Sequence, residues 1–362
     1  MDDEIYHIMG KLAIYKYISF MLLVVTVLLA VFTLFALFGG NADPSSSTAL
    51  AMLVYVLPLL ILGNVVMFLV WLVQRRWHWL LIPGLTLLCC IRYAGTLYNP
   101  GWSFKGNASQ SGLRIASYNV ACFGREVSGF KAQDILQEMR EQSIDVLCIQ
   151  EYYDQSGEML NSDRYKDYFA YMAQGRGDMV IYSRYPILQT EKIDFGKTNN
   201  SAMWADINVD GTTIRVFNVH LQTTGVNGSL HQVSKRQQQG ELVERNAVLK
   251  LIFDVYTYEM ARRARQAEQV AKAINETELP VIVCGDFNDV PYSYVYETVL
   301  GDKLIDGFRE CGKGLMYTFM KNKNVGLRID YIFHDDHFKG EAYYKKEINY
   351  SDHYPVFMIL AL

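Results

Sequence analysis

Charge is absent from the chain between Tyr17 and Ala42, and within that stretch Ile18 to Phe38 is almost wholly apolar. As a helix rising ~1.5 Å per residue, such a run crosses the roughly 30 Å of hydrocarbon in a bilayer. Ser45 to Gln74 is again free of charge and predicts a second span. A third apolar run starts at Trp77 and continues to about Tyr98, interrupted by Pro83 and Gly84 and carrying Arg92 near its end. Arg92 could snorkel to the interface if this run spans, and a buried core helix is the alternative. Residues 18–98 therefore predict a multi-pass anchor in a lipid bilayer. A cleaved signal peptide fits poorly, because further spans follow the first.

Beyond the anchor the pattern changes. Asn99 to Gly112 is rich in Gly, Ser and Asn and reads as a linker. Short apolar runs then recur at Leu113–Tyr118, Val146–Gln150, Met179–Ser183, Met203–Val209, Thr213–His220, Pro280–Cys284, Ile329–Phe333 and Pro355–Leu360. Their length and their Val, Ile and aromatic content predict strands. Lys131–Gln142 places Ile135, Leu136 and Met139 at helical spacing, and Leu242–Asn275 predicts a long helix with a break near Val255–Thr257. Gln222–Gly240, polar and dotted with glycine, predicts either a mobile flap over the site or a disordered surface loop without function. Sheet plus helices is the expected class.

The 362 residues suffice for the anchor plus one domain of about 250 residues. The net charge of −4 is uneven: residues 1–112 hold six Lys/Arg and four Asp/Glu, which leaves 113–362 at −6. A domain that grips duplex DNA by its phosphates is usually basic, so this balance weighs against such a role. None of the six cysteines has zinc-site spacing. Cys148 and Cys284 read as buried, and Cys122 and Cys311 as free or paired. Lys11 and Lys16 before the first span, and Arg75 and Arg76 after the second, predict a cytoplasmic N-terminus. With three spans the domain lies outside the cytoplasm; with two it lies within.

Polar residues crowd the strand ends: Asn119, Glu151, His220, Asp286, Asn288, Asp330, Asp352 and His353. One such residue is usually a cap or turn residue. Several carboxylates, two imidazoles and two amides in that position predict a shared cleft, whose oxygen donors suit Mg2+ or Mn2+.

Six segments carry a resemblance: Arg-Ile-Ala-Ser-Tyr-Asn at 114–119, Ile-Gln-Glu at 149–151, Asn-Val-His-Leu at 218–221, Gly-Asp-Phe-Asn at 285–288, Arg-Ile-Asp-Tyr-Ile at 328–332 and Ser-Asp-His-Tyr-Pro-Val at 351–356. In this order they resemble the endonuclease/exonuclease/phosphatase superfamily, in particular its deoxyribonuclease- and sphingomyelinase-like members. The resemblance spans 113–362 and not the anchor. It implies an α/β fold of two packed mixed β-sheets flanked by helices, a four-layer sandwich. It implies a Mg2+-dependent (or Mn2+-dependent) hydrolase of phosphate esters, with a nucleic acid or a phospholipid headgroup as substrate. No protein partner is implied.

By the same resemblance Glu151 is the main metal ligand, with Asn119 and Asp352 beside the metal. His353 is the base or the imidazole that contacts phosphate, oriented by Asp330 or Asp286. Asn288 hydrogen-bonds the developing charge, and His220 is a second catalytic imidazole. Arg184 is a candidate phosphate contact. Two positions depart from the family pattern. Ala121 stands where some relatives carry an acidic ligand, which favours a one-metal site. Asp178 stands where many carry Asn. Alternatives are a phosphomonoesterase and a non-catalytic membrane protein with a decayed enzyme domain.

Overall fold

The computed structural model of the protein describes residues 2–103, 112–124, 132–152, 166–175, 179–239, 244–320 and 326–362. The chain divides into two compact units, Met1–Ala42 with Ala49–Ala94, and Asp43–Thr48 with Gly95–Leu362.

The first unit is helical. Asp2–Gly39 and Leu53–Val73 each contain a stretch long and apolar enough to cross a membrane. The third run forms Trp77–Cys89 and Ile91–Leu97, bent by 53° at their junction, and counts as a further span if the pair acts as one. The break falls at Cys90 rather than at Pro83 and Gly84. Pro83 lies inside the helix, and the chain turns where the Cys90 N–H donates to both Thr86 O and Leu87 O. Polar side chains join the first two helices: Asn64 Nδ2 donates to Thr33 Oγ1 at 2.7 Å, and Trp71 Nε1 to Thr26 Oγ1 at 2.9 Å. Such bonds bind helices together where neighbouring lipid offers no competing partner.

The second unit holds two six-stranded sheets. One runs in the order Ile305–Asp306, Asp330–His334, Val281–Asp286, Thr212–His220, Ser201–Val209, Ile187–Ile193. The other runs Lys339–Lys345, Val356–Ala361, Leu113–Asn119, Val146–Gln150, Val180–Ser183, Tyr171–Gln174. Each contains one parallel pair, Thr212–His220 with Val281–Asp286 and Leu113–Asn119 with Val146–Gln150; the other pairs are antiparallel. Ile115, Val146, Cys148 and Ile181 from one sheet pack with Val216, Ile282, Cys284 and Ile332 from the other in one buried core. On the outside, Ala267, Val270 and Ile274 of the helix Arg245–Asn275 cover Phe217, Val283 and Phe333. Ile135, Leu136 and Met139 of the helix Ala132–Glu141 cover Ala116, Tyr118 and Leu147. The result is the expected pair of mixed sheets flanked by helices.

Four strands of the two sheets escape the sequence pattern: Ile187–Ile193, Tyr171–Gln174, Lys339–Lys345 and the two-residue Ile305–Asp306. All four are sheet edges, and the first two are largely exposed, so they carry no apolar run. Other expectations change. Arg245–Asn275 is one continuous helix, with no break at Val255–Thr257. The expected flap instead contains a helix, Val226–Gln238, while Gly240 lies outside the described residues. The expected linker begins as a strand: Tyr98–Asn99 pairs with Gly314–Leu315, and Asn99 Nδ2 donates to Phe308 O and Arg309 O. No disulfide joins any of the six cysteines.

Candidate active site

Strand register gathers the polar residues. Asp286 ends its strand directly opposite both His220 on one side and Asp330 on the other. Asn119 ends its strand opposite Gln150, which places Glu151 one residue beyond. Gly285 makes the Asp286 neighbourhood possible. Its φ is +150°, and a Cβ there would meet Val219 O at 1.9 Å, so only glycine fits between these paired strands.

Side-chain contacts then link the motifs. Asn119 Nδ2 lies 3.1 Å from Glu151 Oε1 and 2.9 Å from Asp286 Oδ2. His220 Nε2 is 3.7 Å from Glu151 Oε1. His353 Nδ1 bonds Asp330 Oδ2 at 2.9 Å, while its Nε2 lies 3.7 Å from Asp286 Oδ2 and 4.0 Å from Asp352 Oδ1. Asp330 is thus the carboxylate that engages Nδ1, and Asp286 faces the other nitrogen. Asn288 accepts a left-handed φ of +52°; its N–H donates to Asp286 Oδ1, and its Nδ2 to Leu221 O. Ala121, Cys122 and Glu151 share that backbone region, which is costly for non-glycine residues and clusters here at the cleft.

Electrostatics follow from burial. Burial raises the Asp286 carboxyl, the Asp330 charge adds to this, and the group rises to about 6 despite His353, His220 and Asn119. Burial opposes the charged form of His353, but Asp330 and Asp286 outweigh it and push the imidazole up to about 10.

The donor set fits a hard divalent cation in part. The Glu151 side chain is 30% exposed, whereas Asp286, Asp330 and His353 are buried. An open carboxylate with Asp352 nearby on the cleft is the kind of oxygen set that Mg2+ or Mn2+ takes. Asn119 stands beside Glu151: its Oδ1 accepts from the Ala121 N–H, and its amide nitrogen faces Glu151 and Asp286, so it orients both carboxylates. Asp286, Asp330 and His353 also offer ligand atoms within 4.8 Å of one another. With Nδ1 engaged by Asp330, this trio reads as an oriented imidazole and not as an ion cage.

Arg184 is not brought to this cluster. It pairs with Asp145 at 2.8 Å, at the opposite end of the strand whose far end leads to Glu151. Five strand residues separate the two ends by about 17 Å. Asp178 lies outside the described residues. Sequence reasoning missed Asn200, whose Nδ2 is 3.1 Å from His220 Nε2, and Phe319, whose ring centroid lies 4.9 Å from that of His353. Neither stands in a recognisable motif. A basic run such as Arg262, Arg263 and Arg265 is more often a solvated face. Arg263 is fully buried instead: Nε pairs with Asp289 at 3.2 Å, and Nη1 donates to Gln222 O.

The chain belongs to the endonuclease/exonuclease/phosphatase family, whose model matches residues 116–353. A model of a domain of unknown function matches 19–97. No curated protein matches. Among solved structures, humanized D. rerio TDP2 is similar at 19% identity and a TM-score of 0.52, over 70% of this chain and 100% of that one. D. rerio TDP2 complexed with single-strand DNA product gives 18% and 0.50, over 70% and 100%. Sphingomyelinase C from Streptomyces griseocarneus gives 18% and 0.47, over 68% and 99%. At these identities the likeness to the two TDP2 structures is one of fold.

The His353–Asp330 pair generates a test. An imidazole raised from 6.5 to about 10 stabilises the fold fully below 6.5, and that contribution is lost as pH rises through about 10. Asp330→Asn removes the leading attraction. The His353 ring resonances in NMR should then titrate at lower pH than in the parent, and the alkaline loss of stability should shift downward with them. An unchanged titration would contradict the pairing.

Proposed function

We propose that this protein hydrolyses phosphate esters, acting as a divalent-metal-dependent phosphodiesterase anchored in a membrane by its N-terminal helices. The observation that carries the reading is the convergence of an exposed Glu151 with the buried pair His353–Asp330 and with Asp286, from strands distant in sequence. Family membership and the two-sheet fold support it.

The chain's own groups divide the work. Glu151 and Asp352 would hold a cation such as Mg2+, which supplies Lewis acidity and charge neutralisation at the ester. Asn119 keeps the Glu151 and Asp286 carboxylates apart and oriented through its two amide hydrogens. Asp330 fixes the His353 ring, so that Nε2 is the nitrogen that exchanges a proton with the reacting water or ester oxygen. Asn288 and His220 line the same cleft: rotation of the Asn288 amide away from Leu221 O would let it donate to a phosphoryl oxygen as charge builds, and His220 is the second imidazole beside Glu151. Water attacks phosphorus in line, and no covalent intermediate on the chain is required.

Glu151→Gln keeps the shape and removes the charge. Mg2+ affinity in calorimetry should fall at least about tenfold, and turnover of bis(p-nitrophenyl) phosphate with it. Parent-like metal binding in this variant would sink the assignment.

The same reading puts the second unit outside the cytoplasm. Lys11 and Lys16 precede the first apolar helix, and Arg75 and Arg76 lie between the second and third, the arrangement of cytoplasmic segments. A reporter fused after Leu362 that is active only when exported should give signal. Signal from a cytoplasm-only reporter would mean that the bent pair Trp77–Cys89 and Ile91–Leu97 does not cross.

A further inference from the structure

Two short routes within the second unit lead from the end of the third apolar stretch to the catalytic imidazole. In the first, the buried Arg328 Nη1 donates to Thr96 O at 2.9 Å, and two residues on Asp330 holds His353. In the second, Tyr98 pairs directly with Leu315 in a two-residue ladder, and the Met316 N–H donates to Leu97 O. Four residues beyond Leu315, Phe319 packs its ring on His353 and pairs with it through an isolated bridge. Four residues reach at most about 14 Å, and paired strands add about 5 Å. The His353 ring is therefore linked, within the second unit, to Tyr98 over a reach of at most about 19 Å.

Large apolar side chains stand exposed along this route. Leu315 is 61% exposed, Tyr98 55%, Leu327 39% and Trp102 91%. Leu327 pairs with Phe319, so the exposed strip runs from the ladder to the rim of the cleft. Exposed aromatic and aliphatic side chains that directly follow a membrane-spanning stretch suit the headgroup layer, which is roughly 5–8 Å thick on each face of a bilayer. A polyanionic nucleic acid would call for basic groups, yet residues 113–362 carry a net −6.

We propose that Tyr98, Leu315 and Leu327 form a bilayer-facing edge, and that the cleft beside it takes phospholipid headgroup phosphodiesters from the membrane surface. This rests on the phosphodiesterase reading above for its chemistry, but not for the edge itself. The edge sets which phosphates reach the site: it turns the cleft toward headgroup diesters of the adjoining leaflet, whose acyl chains stay in lipid. Leu315 and Leu327 touch none of the reacting groups, so they act on access alone.

The test uses the full chain in phosphatidylcholine and phosphatidylglycerol vesicles. The photoreactive p-benzoylphenylalanine is placed at Leu315 or, as a control on a remote sheet edge, at Leu188, which is 59% exposed. Irradiation should join lipid to position 315 and not to 188. In parallel, Leu315→Glu should lower hydrolysis of the vesicle phospholipid by roughly tenfold or more and leave soluble bis(p-nitrophenyl) phosphate turnover unchanged. Absence of lipid adducts at 315 overturns the edge. Equal loss on both substrates, or hydrolysis of single-stranded DNA with none of phospholipid, overturns the substrate class. A chain that turns over no phosphodiester at all sinks the phosphodiesterase reading, while the adducts still decide the edge.

Discussion

Two buried amides hold the sheets of the second unit in register. Gln150 Nε2 donates to Asn218 Oδ1 at 2.7 Å, and Asn218 Nδ2 donates to Ile149 O and Val180 O at 3.0 Å each. Gln150 also reaches Ser117 Oγ on the neighbouring strand. Both amides have no exposed surface. Apolar packing between sheets is strong but nondirectional, and it tolerates sliding. A buried amide does not, because a slip leaves several polar atoms unpaired at about 1–3 kcal/mol each. This bridge sits one residue before Glu151 and two before His220, so the register it enforces is the register of the site.

The rest of the cleft builds on that fixed floor. Ser351 Oγ donates to Asn119 O, which ties the last motif to the first. On the far side, Gln266 Oε1 accepts from Gln222 N, and Arg263 spans Gln222 O and Asp289. The segment after His220 and the segment after Asp286 are thereby clamped to one helix. Asp286 and Asp330 can then be buried, because Asn119 and the Asn288 N–H donate to the first and His353 Nδ1 engages the second. Glu151 and Asp352 stay partly open, as groups that must exchange ligands with solvent should be.

Much of this was legible in the chain, for definite reasons. Central strands are buried on both faces, so Val146–Gln150 and Thr212–His220 announce themselves as apolar runs, and their polar ends mark the cleft. Edge strands such as Ile187–Ile193 face water and look like loops. Contacts set by tertiary packing left no local trace: Asn200 beside His220, Phe319 against His353, and the burial of Arg263 within a basic run. Arg184 failed for the related reason that a strand has two ends, and a residue type does not say which end it occupies. The polar, glycine-containing segment after Leu221 shows no apolar run, yet its Val226–Gln238 stretch is a helix with Val233 buried.

The central claim is that the amide bridge, and not apolar packing alone, preorganises the site. A double-mutant cycle on Gln150→Leu and Asn218→Leu measures it, with unfolding free energy and phosphodiester turnover read on the same four proteins. The account predicts a coupling of roughly 1–3 kcal/mol in stability, together with loss of turnover in each single variant under conditions where it remains folded. Additive stability effects with parent-like turnover in the folded single variants would contradict it.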